Sequence, residues 1–135
     1  MLEWSWREKD LAVELDLPPA FIIGDDKLLH QVWINLITNS IKYTEPGGTI
    51  AIRLRRTETL CHVVIKDTGI GIAESDLPYV FNRFYRVDPA RDRKEGSSGL
   101  GLAITQKIVA LHQGRIEVTS ELGAGTAFHI YLPSR

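Results

Sequence analysis

The sequence predicts one compact domain that mixes α-helices with β-strands. Its 135 residues, of which 44% are apolar and 24% charged, have the length and apolar fraction of a single globular core. Apolar residues recur three and four positions apart in some segments and alternate with polar residues in others. Together these patterns predict about three helices and about five to seven strands.

Helical spacing occurs in separate parts of the chain. From Asp25 to Tyr43 the apolar residues follow one helical face, and Asp25 or Asp26 is available as the N-terminal cap. A shorter helix is predicted around residues 75–82. A last helix follows a glycine-rich segment and continues to Leu111.

Strand patterns occupy the segments between the helices. Loose alternation of apolar residues predicts one or two strands within residues 2–16. The EPGG turn at 45–48 precedes an alternating strand that begins near Ile50, and residues 60–67 supply its hairpin partner. The GAG of residues 123–125 is predicted to join two closing strands.

Composition argues against several kinds of partner. The 16 Lys and Arg residues nearly balance 17 Asp and Glu, so the net charge of −1 provides no drive toward nucleic acid or anionic membranes. No apolar run reaches the roughly 18 residues that span a bilayer, and the first ten residues lack a signal-peptide pattern. Cys61 is the only cysteine, which excludes an internal disulfide, and no paired Cys/His spacing predicts zinc. A reducing, cytosolic setting fits this composition.

Polar residues also form a stripe along the first helix. Asn35, Asn39 and Lys42 are spaced i, i+4 and i+7, which puts them on one side of the helix beside its apolar face. A carboxamide oxygen suits Mg²⁺ that bridges phosphates, and a nearby lysine adds positive charge. A solvated helix face would show the same spacing, so these residues alone leave both interpretations open.

The segment DTGIGI puts Asp67 where a strand becomes a loop. A buried carboxylate there would accept the exocyclic amine of adenine, whereas guanine would present a carbonyl oxygen to it. The glycines that follow would let a ligand approach the backbone closely. A simple turn is the alternative interpretation of this motif.

A second glycine-rich segment, GSSGLGLAI at residues 96–104, comes directly before a predicted helix. Free amides and the positive end of the helix dipole can hold phosphates at such a position. The segment fits neither GxGxxG nor the P-loop pattern.

A polar stretch precedes these glycines and follows the segment VFNRFYRVD. A structureless loop of this length in a small domain is typical of a functional lid or of disorder. Phe81 and Phe84 are expected to be core residues that hold the near end of the loop. Arg86 could neutralise charge on a transferring phosphoryl group, although a solvated loop arginine fits the spacing as well.

The histidines form no recognisable catalytic pattern. No Ser/His/Asp triad or carboxylate pair can be assembled from the sequence, so structural roles are expected for all of them. They are His30, His62, His112 and His129.

Five segments in chain order resemble the N box, glycine boxes and F box of sensor histidine kinases, over residues 25–133. They are NLITNSIKY (35–43), DTGIGI (67–72), VFNRFYRVD (80–88), GSSGLGLAI (96–104) and GAGTAF (123–128). The resemblance implies the Bergerat-type fold shared with DNA gyrase B, MutL and heat-shock chaperone ATPases. That fold is an α/β sandwich in which a mixed, mostly antiparallel sheet of about five strands packs against three helices. It also implies an ATP lid at residues 84–98.

The resemblance further implies roles for individual residues, with ATP and Mg²⁺ as cofactors. Asn39 would coordinate Mg²⁺ through the ATP phosphates, and the catalytic residues would be Asn35, Lys42 and Arg86. The ATP-binding residues would be Asn35, Asn39, Lys42, Tyr43, Asp67, Gly69, Gly71, Ile72, Phe84, Arg86, Gly99, Leu100, Gly101, Leu102 and Thr126.

The function implied is transfer of the ATP γ-phosphoryl group to a histidine on a separate dimerisation domain, with a response regulator downstream. None of the four histidines precedes an acidic residue, as the phosphoacceptor motif requires. We therefore expect residues 1–135 to be one catalytic domain without the dimerisation domain, monomeric in isolation and in contact with neither nucleic acid nor membrane. It would be cytoplasmic, with a parent protein anchored in the bacterial inner membrane.

Two other functions remain open from the sequence. One is a stand-alone serine kinase or ATPase of the same superfamily, although such proteins typically carry glutamate at the position of Asn35, where a general base is needed. The other is an ATP-sensing module without catalysis.

Overall fold

The computed structural model describes residues 10–17, 22, 24–85 and 100–134. Its strands are β1 (Ala12–Asp16), β2 (Thr49–Arg56), β3 (Leu60–Asp67), β4 (Arg115–Glu121) and β5 (Gly125–Pro133). They form one five-stranded sheet with the order β1-β2-β3-β5-β4. β1 pairs in parallel with β2, and every other neighbouring pair is antiparallel. The predicted mixed, mostly antiparallel sheet is therefore confirmed.

Two α-helices lie within the described ranges, α1 (Asp26–Tyr43) and α2 (Gly101–Leu111). The Asp25 side chain accepts a hydrogen bond from the Leu28 amide at 2.9 Å, which confirms Asp25 as the cap of α1.

The helix predicted around residues 75–82 is shorter than expected. The structure has a 3₁₀ helix at Leu77–Tyr79, with a proline in its first turn and no side-chain cap. The Asp76 carboxylate, which could have capped it, accepts a hydrogen bond from the Tyr85 hydroxyl instead. Because Asp76 is engaged elsewhere, the first amides of this segment have no side-chain acceptor.

The core lies between the helices and one face of the sheet. Val32 and Leu36 of α1 and Val109 of α2 are fully buried against Phe128 and Ile130 of β5. Burial alternates along β3 and β5, as expected of strands with one covered face. The end of β3 and the beginning of β5 carry polar residues, and they lie close to the helices at one end of this core.

His112 links the beginning of α1 to the end of α2. Its Nε2 accepts a hydrogen bond from the Asp25 amide at 3.0 Å, so the ring proton is on Nδ1, which donates to the Ile108 carbonyl at 2.8 Å. A Cβ at Gly24 would lie 2.5 Å from the His112 ring, so glycine is required for this contact. His112 thus has the structural role predicted for it.

Two other histidines lie on the face of the sheet opposite the helices. His62 Nε2 is 3.1 Å from His129 Nδ1, and the His62 ring stacks on Tyr131 with 4.3 Å between centroids. Arg115 lies over the same tyrosine, 3.9 Å from its ring centroid. Burial beside His129 and Arg115 lowers the pKa of His62, since desolvation and neighbouring positive charge both disfavour the imidazolium. These rings make cross-strand contacts that stabilise the sheet.

Cys61 is buried and unpaired, and burial raises the pKa of its thiol. Within the described ranges, no set of three or more His, Cys, Asp or Glu side chains is placed to hold a metal ion.

None of the helices in the described ranges combines the length and apolar character needed to cross a membrane.

We predict that His112→Ala lowers the free energy of unfolding by about 1 kcal/mol, because it removes the acceptor of the Asp25 amide and the side-chain donor to the Ile108 carbonyl. Urea denaturation followed by circular dichroism measures the change. His30→Ala, at an exposed position of α1, is the control and should unfold with the wild-type midpoint. Equal midpoints for both variants would contradict the role assigned to His112.

Candidate functional site

The candidate site lies where the second half of α1, the end of β3 and the beginning of β5 converge. The Ile70 amide donates a hydrogen bond to the Tyr43 carbonyl at 3.0 Å, which holds the loop after β3 against the end of α1. β3 and β5 are paired along their length, so Asp67 and Thr126 lie at the same end of these two neighbouring strands. Residues far apart in the sequence are thereby brought to one site.

Asp67 is the buried acid of this pocket, with only 2% of its surface exposed. Its Oδ1 accepts hydrogen bonds from the Gly69 amide at 2.9 Å and the Thr126 amide at 3.2 Å. Burial raises the pKa of the Asp67 carboxyl, and the two amides and the nearby Ser40 hydroxyl partly oppose this rise. The amides fix the orientation of the carboxylate and engage only one of its oxygens.

Ser40 places a hydroxyl beside Asp67 from α1. Its side chain is fully buried, and its Oγ lies near enough to Asp67 to lower the pKa of that carboxyl, yet it makes no hydrogen bond of standard length and angle within the described ranges. An unsatisfied buried hydroxyl costs about 1–3 kcal/mol, so such an atom is expected where a ligand or water completes the bonding. Ser40 was not predicted from the sequence, although a serine among the inward-facing positions of an amphipathic helix is a detectable signal.

Asn35 is engaged within the protein. Its Nδ2 lies 3.2 Å from both the Gly101 carbonyl and the Thr105 hydroxyl, and its Oδ1 accepts from Gln31 at 2.6 Å. These bonds join α1 to the first turn of α2. In this structure Asn35 is therefore a link between helices, and its expected contact with ATP stays a prediction.

Asn39 and Lys42 lie on the same side of α1 as Asn35, and both are half-buried. No described residue hydrogen-bonds to the Asn39 carboxamide, in contrast to that of Asn35. The Lys42 ammonium lies 4.6 Å from the centroid of the Tyr43 ring. The predicted polar stripe thus runs from the α2 contact toward the loop after β3.

The glycines of DTGIGI serve close contacts between backbone segments. A Cβ on Gly69 would lie 2.2 Å from the Tyr43 carbonyl oxygen. Gly71 has a φ of +76°, and a Cβ there would lie 2.1 Å from the carbonyl oxygen of Glu121. These glycines were expected to let a ligand approach the backbone. In the structure, the atoms that require glycine at both positions are backbone atoms of this protein.

Ser120 connects β4 to the same pocket. Its hydroxyl accepts from the Ile72 amide at 2.7 Å and donates to the Gly125 carbonyl at 2.9 Å. Its Oγ is also 2.8 Å from the Thr126 hydroxyl oxygen. Ser120 was not predicted from the sequence. It continues the inward-facing series of Ile116 and Val118 on β4, so it is a polar residue at a position where the pattern calls for an apolar one.

The segment before the predicted lid is held by one phenylalanine. The Phe81 ring packs edge-on against Phe128 with 6.3 Å between centroids, as expected of a core residue. The expectation that Phe84 is a core residue was wrong, because its side chain is 65% exposed. Its backbone φ is +63°, which is uncommon for a large residue. Its expected contact with ATP stays a prediction.

Several predicted residues lie at or beyond the boundary of what the structure describes. Arg86, Gly99 and lid residues 86–98 fall outside the described ranges. Leu100 is half-buried at the cap of α2, and the Leu102 side chain packs against the core.

Comparison with known proteins identifies the family. Residues 24–135 match the family described as histidine kinase-, DNA gyrase B-, and HSP90-like ATPases. The chain belongs to this family. Sensor histidine kinase RppB of Synechocystis sp. is 43% identical to the ATPase domain over 124 residues, a match that covers 92% of this chain and 27% of RppB. The chain therefore spans about a quarter of this relative.

Solved structures share the fold of the ATPase domain. The mycobacterial sensor histidine kinase MprB superposes with a TM-score of 0.85 and 34% identity, covering 99% of this chain and 91% of that one. Full-length ShkA in complex with AMPPNP gives a TM-score of 0.83 and 26% identity, covering 98% of this chain and 27% of ShkA. These similarities confirm the predicted α/β sandwich and the resemblance to sensor histidine kinases.

We predict that burial of Asp67 makes the ATPase domain less stable as pH rises. Because the folded-state pKa is raised above the ordinary value of 3.8, the native state binds the proton more tightly than the unfolded chain. The contribution of Asp67 to the free energy of unfolding is therefore greatest below pH 3.8 and is lost as pH rises through the folded-state pKa. Asp67→Asn removes this loss.

Urea denaturation of both proteins from pH 4 to pH 7 tests the sign. The free energy of unfolding of Asp67→Asn minus that of the wild type should increase with pH. Asp10→Asn, at an exposed position, is the control and should show no such trend. A difference for Asp67→Asn that is independent of pH would contradict the prediction.

Proposed function

We propose that this ATPase domain binds ATP with Mg²⁺ and transfers the γ-phosphoryl group to a histidine on a separate dimerisation domain of a sensor kinase. The observation that supports the proposal most directly is the Asp67 carboxylate, buried beside the unsatisfied Ser40 hydroxyl. The ATP analogue in the ShkA structure is consistent with it.

Adenine fits the hydrogen-bonding groups of this pocket. Oδ1 of Asp67 is held by the Gly69 and Thr126 amides, which leaves the other oxygen to accept from an exocyclic amine. The Ser40 hydroxyl can complete its bonding with the base or with a water beside it. Guanine would bring its carbonyl oxygen to the carboxylate and leave both acceptors unpaired, which disfavours GTP.

The phosphates and Mg²⁺ would lie along the polar stripe of α1. A carboxamide such as that of Asn39 is a suitable oxygen ligand for Mg²⁺, which is bound through few protein groups and through substrate phosphates. Lys42 and Tyr43 would approach the phosphates from the end of the helix. Arg86 would neutralise charge on the transferring group.

The chemistry at position 35 favours histidine over water as the phosphoryl acceptor. An amide is a poor general base, and Asn35 already bonds to Gly101, Thr105 and Gln31. A neutral imidazole is nucleophilic without deprotonation, so its reaction depends on positioning and charge neutralisation. A serine kinase or hydrolytic ATPase would require a base that Asn35 does not supply.

The proposal also includes the cellular context. A response regulator would receive the phosphoryl group downstream. The domain would be monomeric in isolation and would lie in the cytoplasm, as part of a parent kinase anchored in the bacterial inner membrane. Both elements rest on the resemblance to sensor histidine kinases and on fold-level analogy.

We predict that the chain binds a non-hydrolysable ATP analogue with Mg²⁺ and that Asp67→Asn weakens this binding by about tenfold or more, because the variant loses a charged acceptor for the adenine amine. Isothermal titration calorimetry measures the affinity. Asp10→Asn is the control and should bind as the wild type does. Unchanged affinity in Asp67→Asn would remove Asp67 from the adenine site.

We further predict that Asn39→Ala reduces the magnesium dependence of ATP-analogue binding. The test compares dissociation constants with Mg²⁺ and with EDTA, since loss of a metal ligand lowers affinity only when the metal is present. Thr38→Ala, at the exposed neighbouring position of α1, provides the control. If Asn39→Ala keeps the full magnesium effect, the metal ligand lies elsewhere.

Phosphotransfer distinguishes the proposed function from its rivals. The chain is mixed with labelled ATP and a separately purified dimerisation domain that carries the phosphoacceptor histidine. Acid-labile label on that domain is the expected result. Phosphate release without transfer would indicate an ATPase, and binding with neither reaction would indicate a nucleotide-sensing module.

A further inference from the structure

The hydroxyl of Ser120 has a fully determined set of hydrogen bonds. A serine hydroxyl has one hydrogen to donate and two lone pairs to accept with. The Gly125 carbonyl, 2.9 Å away, can only accept, so the hydrogen of Ser120 is directed to it. The Ile72 amide, 2.7 Å away, can only donate and occupies one lone pair. One lone pair of Ser120 remains.

That lone pair determines the orientation of the Thr126 hydroxyl. The two hydroxyl oxygens are 2.8 Å apart, and either could be the donor if the pair were isolated. Because the only hydrogen of Ser120 is committed to Gly125, Thr126 must donate. The Thr126 hydrogen therefore points toward β4, and its oxygen offers lone pairs alone to any other group.

Thr126 is placed next to the acid of the pocket. Its amide donates to Asp67 Oδ1 at 3.2 Å, and both residues are buried at the end of the paired strands β3 and β5. A hydroxyl that cannot turn its hydrogen toward the pocket behaves there as a second acceptor beside the carboxylate. The pocket would then present two acceptors, Asp67 and Thr126, on one side.

We propose that Ser120 is a positioning residue for base specificity. It accepts the hydrogen bond of the Thr126 hydroxyl, so that the Thr126 oxygen can only accept hydrogen bonds from a ligand. Two acceptors, Asp67 and Thr126, then select purines with a 6-amino group. The proposal rests on the proposed function. A 6-amino group has two hydrogens and can satisfy two acceptors, directly or through a bound water. A 6-oxo purine nucleotide such as ITP brings an acceptor to the same place and leaves lone pairs facing each other.

The decisive variant is Ser120→Ala. Without its receiver, the Thr126 hydroxyl can rotate and donate to a 6-oxo group, so selectivity for ATP over ITP should fall by about five- to tenfold. Selectivity is the ratio of the dissociation constants of the Mg²⁺ complexes of non-hydrolysable ITP and ATP analogues, measured by calorimetry. Ser120→Thr retains a hydroxyl and should restore the wild-type ratio.

A double-mutant cycle separates this role from a purely structural one. Thr126→Val removes the hydroxyl whose orientation is at issue, and it should itself lower the ratio because the second acceptor is lost. In the Thr126→Val background, Ser120→Ala should leave the ratio unchanged. A structural role of Ser120 in holding Ile72 would instead change both affinities in either background. Thr126→Val alone keeps the proposal testable if Ser120→Ala does not fold.

The outcomes are distinguishable from failure of the proposed function. A wild-type chain that binds neither nucleotide overturns the proposed function and this proposal with it. A wild-type chain that selects ATP, together with an unchanged ratio in Ser120→Ala or Thr126→Val, overturns this proposal alone. An equal loss of selectivity on Ser120→Ala in both Thr126 backgrounds also overturns it.

Discussion

The burial of the Asp67 carboxylate is the constraint on which the rest of the site depends. Removing a charged group from water is costly, and two backbone amides, from Gly69 and Thr126, partly offset that cost at Oδ1. Both amides can point at one oxygen only if the loop after β3 and the beginning of β5 approach closely. A Cβ at Gly125 would lie 2.0 Å from the Asp67 carbonyl oxygen, so this approach requires glycine. The local backbone is thus arranged around one acid that is held ready for a donor.

The elements that follow from local pattern could be predicted from the sequence. The first helix and its Asp25 cap, the hairpin of β2 and β3, and the turn before β5 all depend on spacing and turn residues within a few positions. The segment at 75–82 contains only a 3₁₀ helix, and Asp76, its candidate cap, accepts a hydrogen bond from Tyr85, nine residues away. Phe84 likewise has an apolar side chain whose exposure depends on a left-handed backbone turn. Contacts and dihedral angles of this kind have no periodic signature.

The sequence indicated which residues belong to the candidate site, but it did not indicate their hydrogen-bond partners. Asp67 was identified from its position before a glycine loop, yet its partners come from residues as distant in sequence as Thr126. Asn35 shares the polar stripe with Asn39, but only the folded arrangement shows that its amide bonds to α2. Ser120 has no motif of its own. Tertiary hydrogen bonding therefore decides which polar residues face a ligand and which hold the scaffold.

The same arrangement gives α1 two functions that cannot vary independently. Asn35 bonds to Gly101 and Thr105 at the beginning of α2, and about one helical turn later Ser40 lies beside Asp67. A helix is stiff over a single turn, so a rotation of α1 that adjusts Ser40 against Asp67 also moves Asn35 against α2. Gly101 directly follows the glycine-rich segment in the sequence. The bonds of Asn35 therefore connect the helix of the proposed nucleotide contacts to the point where the chain leaves the proposed lid.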